Sequence, residues 1–430
     1  MRASLLRGLA AEALLCILER GQEADRVLER AMRRHRELTP AERAALARRV
    51  LGIACLRGRL DFRLDQATGT LWRSEPISYR LAAYVRLEEL GSLEAAAEAS
   101  GLASSALGGL DAPIRWPDEP ITRLEAEQSL PRWLAERWHR EFRDEARKLG
   151  EVSNRPGPVV LRANLLKTDP GRLQAALASE GIGSRPARWS PWGLELTGRA
   201  NLLGSHAWRE GLFEVQDDGS QLVALAVGAR PGERIVDFCA GAGGKTLALA
   251  AAMENRGELL ALDVDAQRLV NLTARCRRAG VTIARVRRLD AALPHPPADL
   301  ALADRVLVDA PCSSLGTLRR SPDLRWRLRA EEIADFAKTQ RQILERAASL
   351  VRPAGLLVYA TCTLTLEENQ GVAEAFSHAH PDWPPAPLSK DGPLRLLPHV
   401  HGTDGFFACA WHCPGQHLHH GPALPLLVNP

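Results

Sequence analysis

The chain has 430 residues, of which 45% are hydrophobic and 25% are charged, and its formal net charge is +4. This is an ordinary globular composition whose length fits two or three domains, and the charge permits a nucleic-acid partner without requiring one. The eight cysteines form no dense spacing framework, which excludes a disulfide-stapled scaffold. The sequence has no N-terminal apolar segment and no run of ~18 apolar residues, so we expect a soluble cytoplasmic protein without a membrane partner.

Helical periodicity dominates the first hundred residues. Apolar residues between Leu5 and Ser105 recur at helical spacing. The segment Thr39-Pro40-Ala41-Glu42 combines a capping hydroxyl, a proline suited to the first helical position and a glutamate that can reach back. Arginines follow on overlapping faces of this helix, where they suit either a phosphate backbone or a solvated surface. We predict an all-α domain over residues 1–125.

A segment rich in glycine and proline, GGLDAPIRWPDEP, interrupts this periodicity as an interdomain linker does. A helix follows it. The pattern then predicts a strand at Pro158–Asn164, a helix at Arg172–Glu180 and a strand at Leu194–Leu196. These elements predict a linker helix and a small α/β subdomain over residues 126–205.

Apolar strands alternate with helices in the second half of the chain. The strands are predicted at Ile235–Phe238, Leu259–Leu262, Val306–Val308 and Leu356–Ala360. This alternation is typical of a doubly wound, mostly parallel sheet. We therefore predict a Rossmann-like α/β domain over residues 206–415, followed by a tail over residues 416–430.

A glycine-rich loop joins the first of these strands to the next helix. It consists of Cys239, Ala240, Gly241, Ala242, Gly243, Gly244 and Lys245. Cys239 replaces the first glycine of a Walker A motif and Thr246 breaks the dinucleotide-binding pattern, so neither phosphate-binding motif is intact. Asp263, which ends the next strand, can accept the ribose hydroxyls of an adenosine, and Asp290 can contact the adenine amine. This set favours S-adenosylmethionine as cofactor; the alternative is a tight turn without a ligand.

Two cysteines directly follow core strands. Cys312 stands in VLVDAPCSS and Cys362 in LLVYATCTL, each just past the carboxyl end of a strand. Ligands bind at that edge in open α/β sheets. A lone cysteine there is most simply a small buried apolar residue, but two at neighbouring strand ends favour covalent catalysis by a thiolate. Asp309, three residues before Cys312, is the predicted acid beside them.

Five segments resemble, in chain order, the motif series of the NOL1/NOP2/Sun family of RNA cytosine-C5 methyltransferases. They span roughly residues 211–411 and read VDFCAGAGGKT, LALDVDAQRL, VLVDAPCSSLGTLRRSPDLRWR, YATCTLTLEENQ and DGFFACAW. One departure stands in the glycine-rich loop, where Gly241 and Ala242 replace the Ala and Pro of the family. The resemblance implies an S-adenosylmethionine-dependent enzyme of the same fold.

The resemblance also assigns roles to the two cysteines. Carbon 5 of cytosine is too weak a nucleophile to attack a sulfonium methyl group, and thiolate addition at C6 makes it enamine-like. The resemblance implies that Cys362 attacks C6, that Cys312 assists release, and that the loop binds the cofactor together with Asp263, Asp290 and Asp309. A stacked cytosine cannot present C6 to a thiol, so we expect the target base in a loop or flipped out.

The preceding domains resemble those of the bacterial RsmB (Sun) branch of this family. The resemblance implies a NusB-like RNA-binding domain at the N-terminus, an RRM-like subdomain at Pro158–Leu196 and a junction motif at Gln216–Gln221. A basic loop after the Pro-Cys motif is predicted to hold RNA phosphates; it carries Arg319, Arg320, Arg325, Arg327 and Arg329. We expect small-subunit ribosomal RNA as the partner of a monomeric enzyme. A transfer RNA substrate, or an RNA-binding assembly factor with incidental methylation, are the alternatives.

Cysteine and histidine accumulate near the C-terminus. They are Cys409, His412, Cys413, His417, His419 and His420. Their spacing matches no common zinc finger, so no structural metal site is predicted.

Overall fold

The computed structural model describes residues 2–293, 295–297, 299–390 and 392–415. The chain forms two compact units. The N-terminal unit holds the chain up to Pro156 together with Thr317–Ala330, and the C-terminal unit holds Gly157–Gly316 and the chain from Glu331 onward. Within the described ranges, no helix is both long and apolar enough to cross a membrane. The predicted tail lies outside the described residues.

Helices build the N-terminal unit. They are α1 (Arg2–Leu14), α2 (Ala24–Arg34), α3 (Pro40–Thr68), α4 (Pro76–Leu87), α5 (Leu93–Ser100), α6 (Pro120–Gln128), α7 (Arg132–Phe142) and α8 (Ala146–Ser153). The predicted capping box starts α3: the Glu42 amide donates to the Thr39 hydroxyl over 3.3 Å, and the Thr39 amide donates to the Glu42 carboxylate over 2.8 Å. Side chains of α3 such as Ile53 and Leu60 are fully buried in the core. The helical fold predicted for this part of the chain is confirmed.

The C-terminal unit opens with a four-stranded antiparallel sheet. Its elements are β1 (Val160–Ala163), α9 (Pro170–Ser179), β2 (Ser184–Pro186), β3 (Gly193–Leu196), α10 (His206–Arg209) and β4 (Phe213–Val215), and the strand order is β2-β3-β1-β4. This is the βαββαβ arrangement of a ferredoxin-like subdomain. Leu161, Leu173, Leu177 and Phe213 form its core. Sequence patterning located β1, α9 and β3, whereas β2 and β4 are too short to carry a periodic signal.

The larger sheet has eight strands, and most of its core is parallel. The helices are α11 (Asp218–Ala226), α12 (Gly244–Ala252), α13 (Ala266–Ala279), α14 (Leu324–Arg327), α15 (Glu332–Ala348), α16 (Gln370–Ala379) and α17 (Pro398–His401), of which α14 belongs to the N-terminal unit. The strands are β5 (Arg234–Asp237), β6 (Glu258–Asp263), β7 (Ala284–Arg288), β8 (Ala303–Asp309), β9 (Val351–Thr361), β10 (Pro385–Ala386), β11 (Leu394–Leu396) and β12 (Phe406–His412).

The strand order places the predicted site at one edge of this sheet. It runs β10-β12-β9-β8-β5-β6-β7, with β11 paired to β12. The strands from β9 to β7 are parallel neighbours, and β12 is antiparallel to β9. Chain order reverses between β5 and β8, which is the switch point where ligands bind in open α/β sheets. The predicted doubly wound, mostly parallel fold is confirmed.

The segment Thr317–Ala330 contributes a buried arginine to the N-terminal unit. Arg325 is 0% exposed. Its guanidinium donates to the carbonyl oxygens of Ser129 over 3.2 Å and Ser153 over 3.1 Å, and to Asn154 Oδ1 over 2.7 Å. The prediction that Arg325 holds RNA phosphates is therefore wrong, because burial leaves its guanidinium no access to RNA. Arg327 forms an ion pair with Asp323 over 2.8 Å.

The predicted domain limits divide the chain more finely than these two units do. The first limit, predicted near residue 125, falls inside α6, whereas the N-terminal unit extends to Pro156 and includes α6, α7 and α8. The limits at 125 and 205 stay predictions.

Candidate active site

The glycine-rich loop turns sharply between β5 and α12. The Gly243 amide donates to the Ala240 carbonyl over 2.9 Å. Gly241 has φ +54° and Gly243 has φ +87°, a backbone region that favours glycine. A Cβ on Gly243 would also lie 2.7 Å from the Cγ atom of Leu272. Glycine is therefore required at residue 243, and the turn exposes the backbone amides at the start of α12 to a ligand.

The predicted carboxylates lie at the same edge of the sheet. Asp263 ends β6, where its Oδ2 accepts from the Gly241 amide over 2.8 Å and its Oδ1 accepts from the Asp265 amide over 2.9 Å. Asp290 comes two residues after β7, and its Oδ1 accepts from the Ala292 amide over 2.9 Å. Asp263 thus touches the loop directly. Its ribose contact and the adenine contact of Asp290 stay predictions.

Lys245 and Asp309 form an ion pair at the end of the central strands. Lys245 Nζ lies 2.5 Å from Asp309 Oδ2, and the lysine side chain is almost entirely buried. The ammonium also lies 5.6 Å from the ring centroid of Phe406. The sequence assigned Lys245 to the cofactor loop alone, but its side chain reaches the predicted catalytic acid.

The two predicted catalytic cysteines meet. Their Sγ atoms are 3.4 Å apart, and the Ser314 hydroxyl lies 3.4 Å from Cys362 Sγ. The hydrogen bond from Cys312, aided by one to Ser314, outweighs burial and lowers the pKa of Cys362, while the charges of Asp309 and Lys245 act on it in opposite directions. The same hydrogen bond, reinforced by burial, raises the pKa of Cys312 well above that of an ordinary thiol. Cys362 is therefore the better thiolate of the pair.

A buried polar network ties the two cysteine loops together. The hydroxyls of Ser313 and Thr363, which follow the two cysteines, are 2.6 Å apart. Glu368 accepts from both the amide and the hydroxyl of Ser313. The Tyr359 hydroxyl donates to the Glu368 carbonyl over 2.6 Å. No role for Glu368 could be predicted from the sequence, because nothing local distinguishes a buried glutamate from a solvated one.

Two arginines hold carbonyls of the glycine-rich loop. Arg275 on α13 donates to the Ala242 carbonyl over 2.7 Å and is itself bound by Glu214 of β4 over 2.8 Å. Arg162 of β1 donates to the Gly244 carbonyl over 2.9 Å, and burial lowers its pKa to about 10. The ferredoxin-like subdomain thus supports the loop from outside the Rossmann-like fold. These contacts could not be predicted from the sequence, because they join residues far apart in the chain.

Two ionisable groups lie where β5 leads into the loop. Burial raises the pKa of Asp237 to about 7, partly opposed by the Thr246 hydroxyl, which donates to its Oδ2 over 2.7 Å. Burial and the neighbouring carboxylates raise the pKa of Cys239 well above that of an ordinary thiol. Cys239 is therefore a neutral thiol.

No cluster of metal-ligating side chains occurs in the described part of the chain. Cys409 is buried on β12. His417, His419 and His420 lie outside the described residues.

Comparisons with known proteins show which family this chain resembles. Residues 224–412 match the family model described as 16S rRNA methyltransferase RsmB/F, and residues 130–202 match the ferredoxin-like domain of RsmF/B-like methyltransferases. The probable ribosomal RNA small subunit methyltransferase B of Bacillus subtilis (strain 168) is 30% identical over 95% of this chain and 99% of its own length. Ribosomal RNA small subunit methyltransferase B of Escherichia coli O6:K15:H31 is 28% identical over 94% of this chain and 97% of its own length.

Two solved structures resemble most of this chain. The crystal structure of PH0851 is 28% identical and has a TM-score of 0.79, covering 94% of this chain and 98% of its own. A methyltransferase homolog from Pyrococcus horikoshii is 27% identical with a TM-score of 0.61, covering 69% of this chain and 100% of its own.

The residues around the loop fit the predicted cofactor. A Cβ on Gly241 would meet nothing within 4 Å, so a ligand can approach the backbone there. Within the described residues, Asp237 Oδ1 and Gln216 Oε1 are buried without a hydrogen-bond partner, and they lie next to the loop as acceptors for the donors of a nucleoside or amino acid. The methyltransferase assignment and S-adenosylmethionine as cofactor are confirmed. The chain belongs to the 16S rRNA methyltransferase RsmB/F family, the Sun branch that its motifs resemble.

Proposed function

We propose that this chain methylates C5 of a cytosine in small-subunit ribosomal RNA, with Cys362 as the nucleophile. The observation that carries the proposal is the contact of 3.4 Å between the sulfur atoms of Cys312 and Cys362. A single buried cysteine would need no chemical explanation. Two thiols in contact at the ligand-binding edge, one with a lowered pKa and one with a raised pKa, suit the two halves of a covalent reaction.

The first step is addition of the Cys362 thiolate to C6 of the cytosine. A new S–C6 bond forms, and the electron pair of the C5–C6 bond moves to C5 as N3 acquires a proton. We propose that Asp309 faces N3 and that the Lys245–Asp309 ion pair supplies the proton that N3 acquires. S-adenosylmethionine supplies the electrophilic methyl group, which C5 receives.

Release reverses the addition. The C5–H proton leaves to a base, the electrons of that bond restore the C5–C6 double bond, and the S–C6 bond breaks to return Cys362 as a thiolate. N3 gives back the proton that it acquired from the Lys245–Asp309 ion pair. We propose that Cys312 assists this step, since its sulfur lies beside the bond that breaks. Its hydrogen bond to Cys362 is interrupted once Cys362 is covalently bound, which frees Cys312 for this second role.

Ribosomal RNA is the proposed substrate because the relatives carry that name and cover nearly the whole chain. The ferredoxin-like subdomain and the N-terminal helical unit, which we propose to be NusB-like, suit binding of a structured RNA in the cytoplasm. The target base must leave any stack before C6 can meet Cys362.

The test uses the purified protein with methyl-labelled S-adenosylmethionine and unmodified total RNA from a strain that lacks it. Cys362→Ala, Cys312→Ala and the matched control Cys409→Ala, which removes a buried thiol outside the pair, are assayed in parallel. We expect label on C5 of one small-subunit cytosine, no label with Cys362→Ala, protein trapped on RNA with Cys312→Ala, and wild-type labelling with the control. Wild-type methylation by Cys362→Ala would overturn the mechanism. Label on transfer RNA would replace the substrate, and no label on any RNA would favour a binding factor.

A further inference from the structure

The carboxylate of Glu368 lies beside the cysteine pair and takes no part in the steps above. Its side chain is 0% exposed. Oε1 accepts from the Ser313 amide over 2.8 Å and from Gln340 Nε2 over 2.9 Å. Oε2 accepts from the hydroxyls of Ser313 and Thr365. Four donors therefore surround this carboxylate, an arrangement that suits a buried negative charge.

Glu368 joins the two cysteine loops, because it lies in the segment that follows Cys362 and binds the residue that follows Cys312. Ser313 follows Cys312 directly and donates both its amide and its hydroxyl to Glu368. On its own loop Glu368 accepts from Thr365, three residues after Cys362, while Thr363 joins this cluster through the Ser313 hydroxyl, 2.6 Å away. The carboxylate is thus held directly against the neighbour of Cys312.

The charges nearest the other cysteine oppose each other. Asp309 raises the pKa of Cys362, and Lys245, paired with Asp309 over 2.5 Å, lowers it by no more than that. The negative charge of Glu368, by contrast, acts to raise the pKa of Cys312. We propose that Glu368 is a positioning residue that keeps the proton on Cys312 and so leaves Cys362 as the thiolate of the pair. This inference rests on the proposed function, in which Cys362 is the nucleophile.

The electrostatics agree with this geometry. The hydrogen bond to Cys362 and burial raise the pKa of Cys312 most. The charges of the Cys362 thiolate and of Glu368 raise it further. Tyr359, which donates to the Glu368 carbonyl, is a neutral phenol because burial raises its pKa well above the usual value. Glu368 continues to act on Cys312 during the reaction, whereas the thiolate of Cys362 disappears when it adds to the base.

Glu368→Gln removes the charge and keeps the shape. The amide oxygen can replace Oε1 and accept from the Ser313 amide and Gln340. The amide nitrogen can replace Oε2 and donate to the hydroxyls of Ser313 and Thr365, which rotate to accept. Every buried polar atom keeps a partner, so the variant is expected to fold.

The experiment measures the rates at which iodoacetamide alkylates Cys312 and Cys362 from pH 5 to pH 10, by peptide mass spectrometry on the full-length protein. In the wild type we expect Cys362 to react first. In Glu368→Gln we expect the pKa of Cys312 to fall. The ratio of the Cys362 to the Cys312 alkylation rate at neutral pH should then drop ~10-fold for each unit by which the pKa of Cys312 falls. The matched control Glu374→Gln, on the exposed face of α16, keeps the wild-type profile. An unchanged ratio in folded Glu368→Gln would overturn the proposal.

A second variant tests the proposal without changing Glu368. In Cys362→Ser the partner thiolate is gone and Glu368 remains, so Cys312 still reacts only at a pH well above that of an ordinary thiol. A normal thiol profile for Cys312 in this variant would overturn the proposal. Because alkylation needs neither RNA nor cofactor, it separates this inference from the proposed function. Methylation by Cys362→Ala would refute the mechanism and leave the alkylation result standing.

Discussion

Cys312 and Cys362 lie with their sulfur atoms 3.4 Å apart, although fifty residues separate them in the chain. The reason is the parallel pairing of β8 with β9, which brings Asp309 beside Ala360 and so carries both following loops to one edge of the sheet. Gly316 then fits against this edge, since a Cβ there would lie 2.8 Å from the Cys362 carbonyl. The pair is therefore a product of sheet register.

Lys245→Met is expected to shift the alkylation of Cys362 to higher pH. Loss of the ammonium removes a charge that lowers the pKa of Cys362 and leaves Asp309, which raises it. Methylation should fall roughly 100-fold, as when one preorganised electrostatic group is removed from an active site. Alkylation against pH and the methylation rate measure the two effects. The control is Lys338→Met, on the exposed face of α15, and equal behaviour of the two variants would contradict the role of Lys245.

Arg275→Met is expected to weaken S-adenosylmethionine binding. The variant frees the Ala242 carbonyl and the Glu214 carboxylate, so the loop loses a support against which the cofactor packs. We expect the Kd to rise roughly tenfold, a loss of about 1.4 kcal/mol. Isothermal titration calorimetry without RNA measures it. Arg277→Met, on the exposed face of the same helix, serves as control, and a wild-type Kd for Arg275→Met would show that the loop needs no such support.

Asp237→Asn is expected to change how stability depends on pH. The pKa of Asp237 rises from 3.8 when unfolded to about 7 when folded, so the folded state binds the extra proton between these values. Its contribution to stability is present at low pH and is lost as pH rises through 7, by up to about 1.4 kcal/mol per pH unit. The thermal midpoint of Asp237→Asn should therefore fall less between pH 4 and pH 7 than that of the wild type. Scanning calorimetry tests this, and exposed Asp335→Asn should keep the wild-type slope.

Arg325→Met is expected to destabilise the N-terminal unit. It leaves the carbonyls of Ser129 and Ser153 without their buried donor, and each such loss costs about 1–3 kcal/mol. The thermal midpoint should fall, whereas RNA affinity of the folded protein should not change. Arg329→Gln, on the exposed part of the same segment, should leave the midpoint unchanged. A normal midpoint with weakened RNA binding would restore the basic-loop hypothesis for Arg325.

Local sequence determined the buried strands, the turn of the glycine-rich loop and the family of this protein. The apolar runs around Ile235 and Val306 specify buried parallel strands because such strands are covered on both faces. Gly243 specifies a turn because its φ of +87° excludes most side chains. The order of the motifs then identified the family. Each of these signals is contained within a few neighbouring residues, so it can be recognised in the sequence without knowledge of the fold.

Tertiary structure alone decided which charges face each other and which side chains are buried. Arg325 and Arg329 look equivalent in the sequence, yet one is 0% exposed and the other lies at the surface. Glu368 reaches Ser313 across fifty-five residues, and Arg162 reaches Gly244 across eighty-two. Hydrogen bonds and Coulomb interactions depend on distances in space, and packing of separate strands and helices sets those distances. The sequence therefore determined the chemistry available to the site, and the fold determined the arrangement that assigns the proton to Cys312 and the negative charge to Cys362.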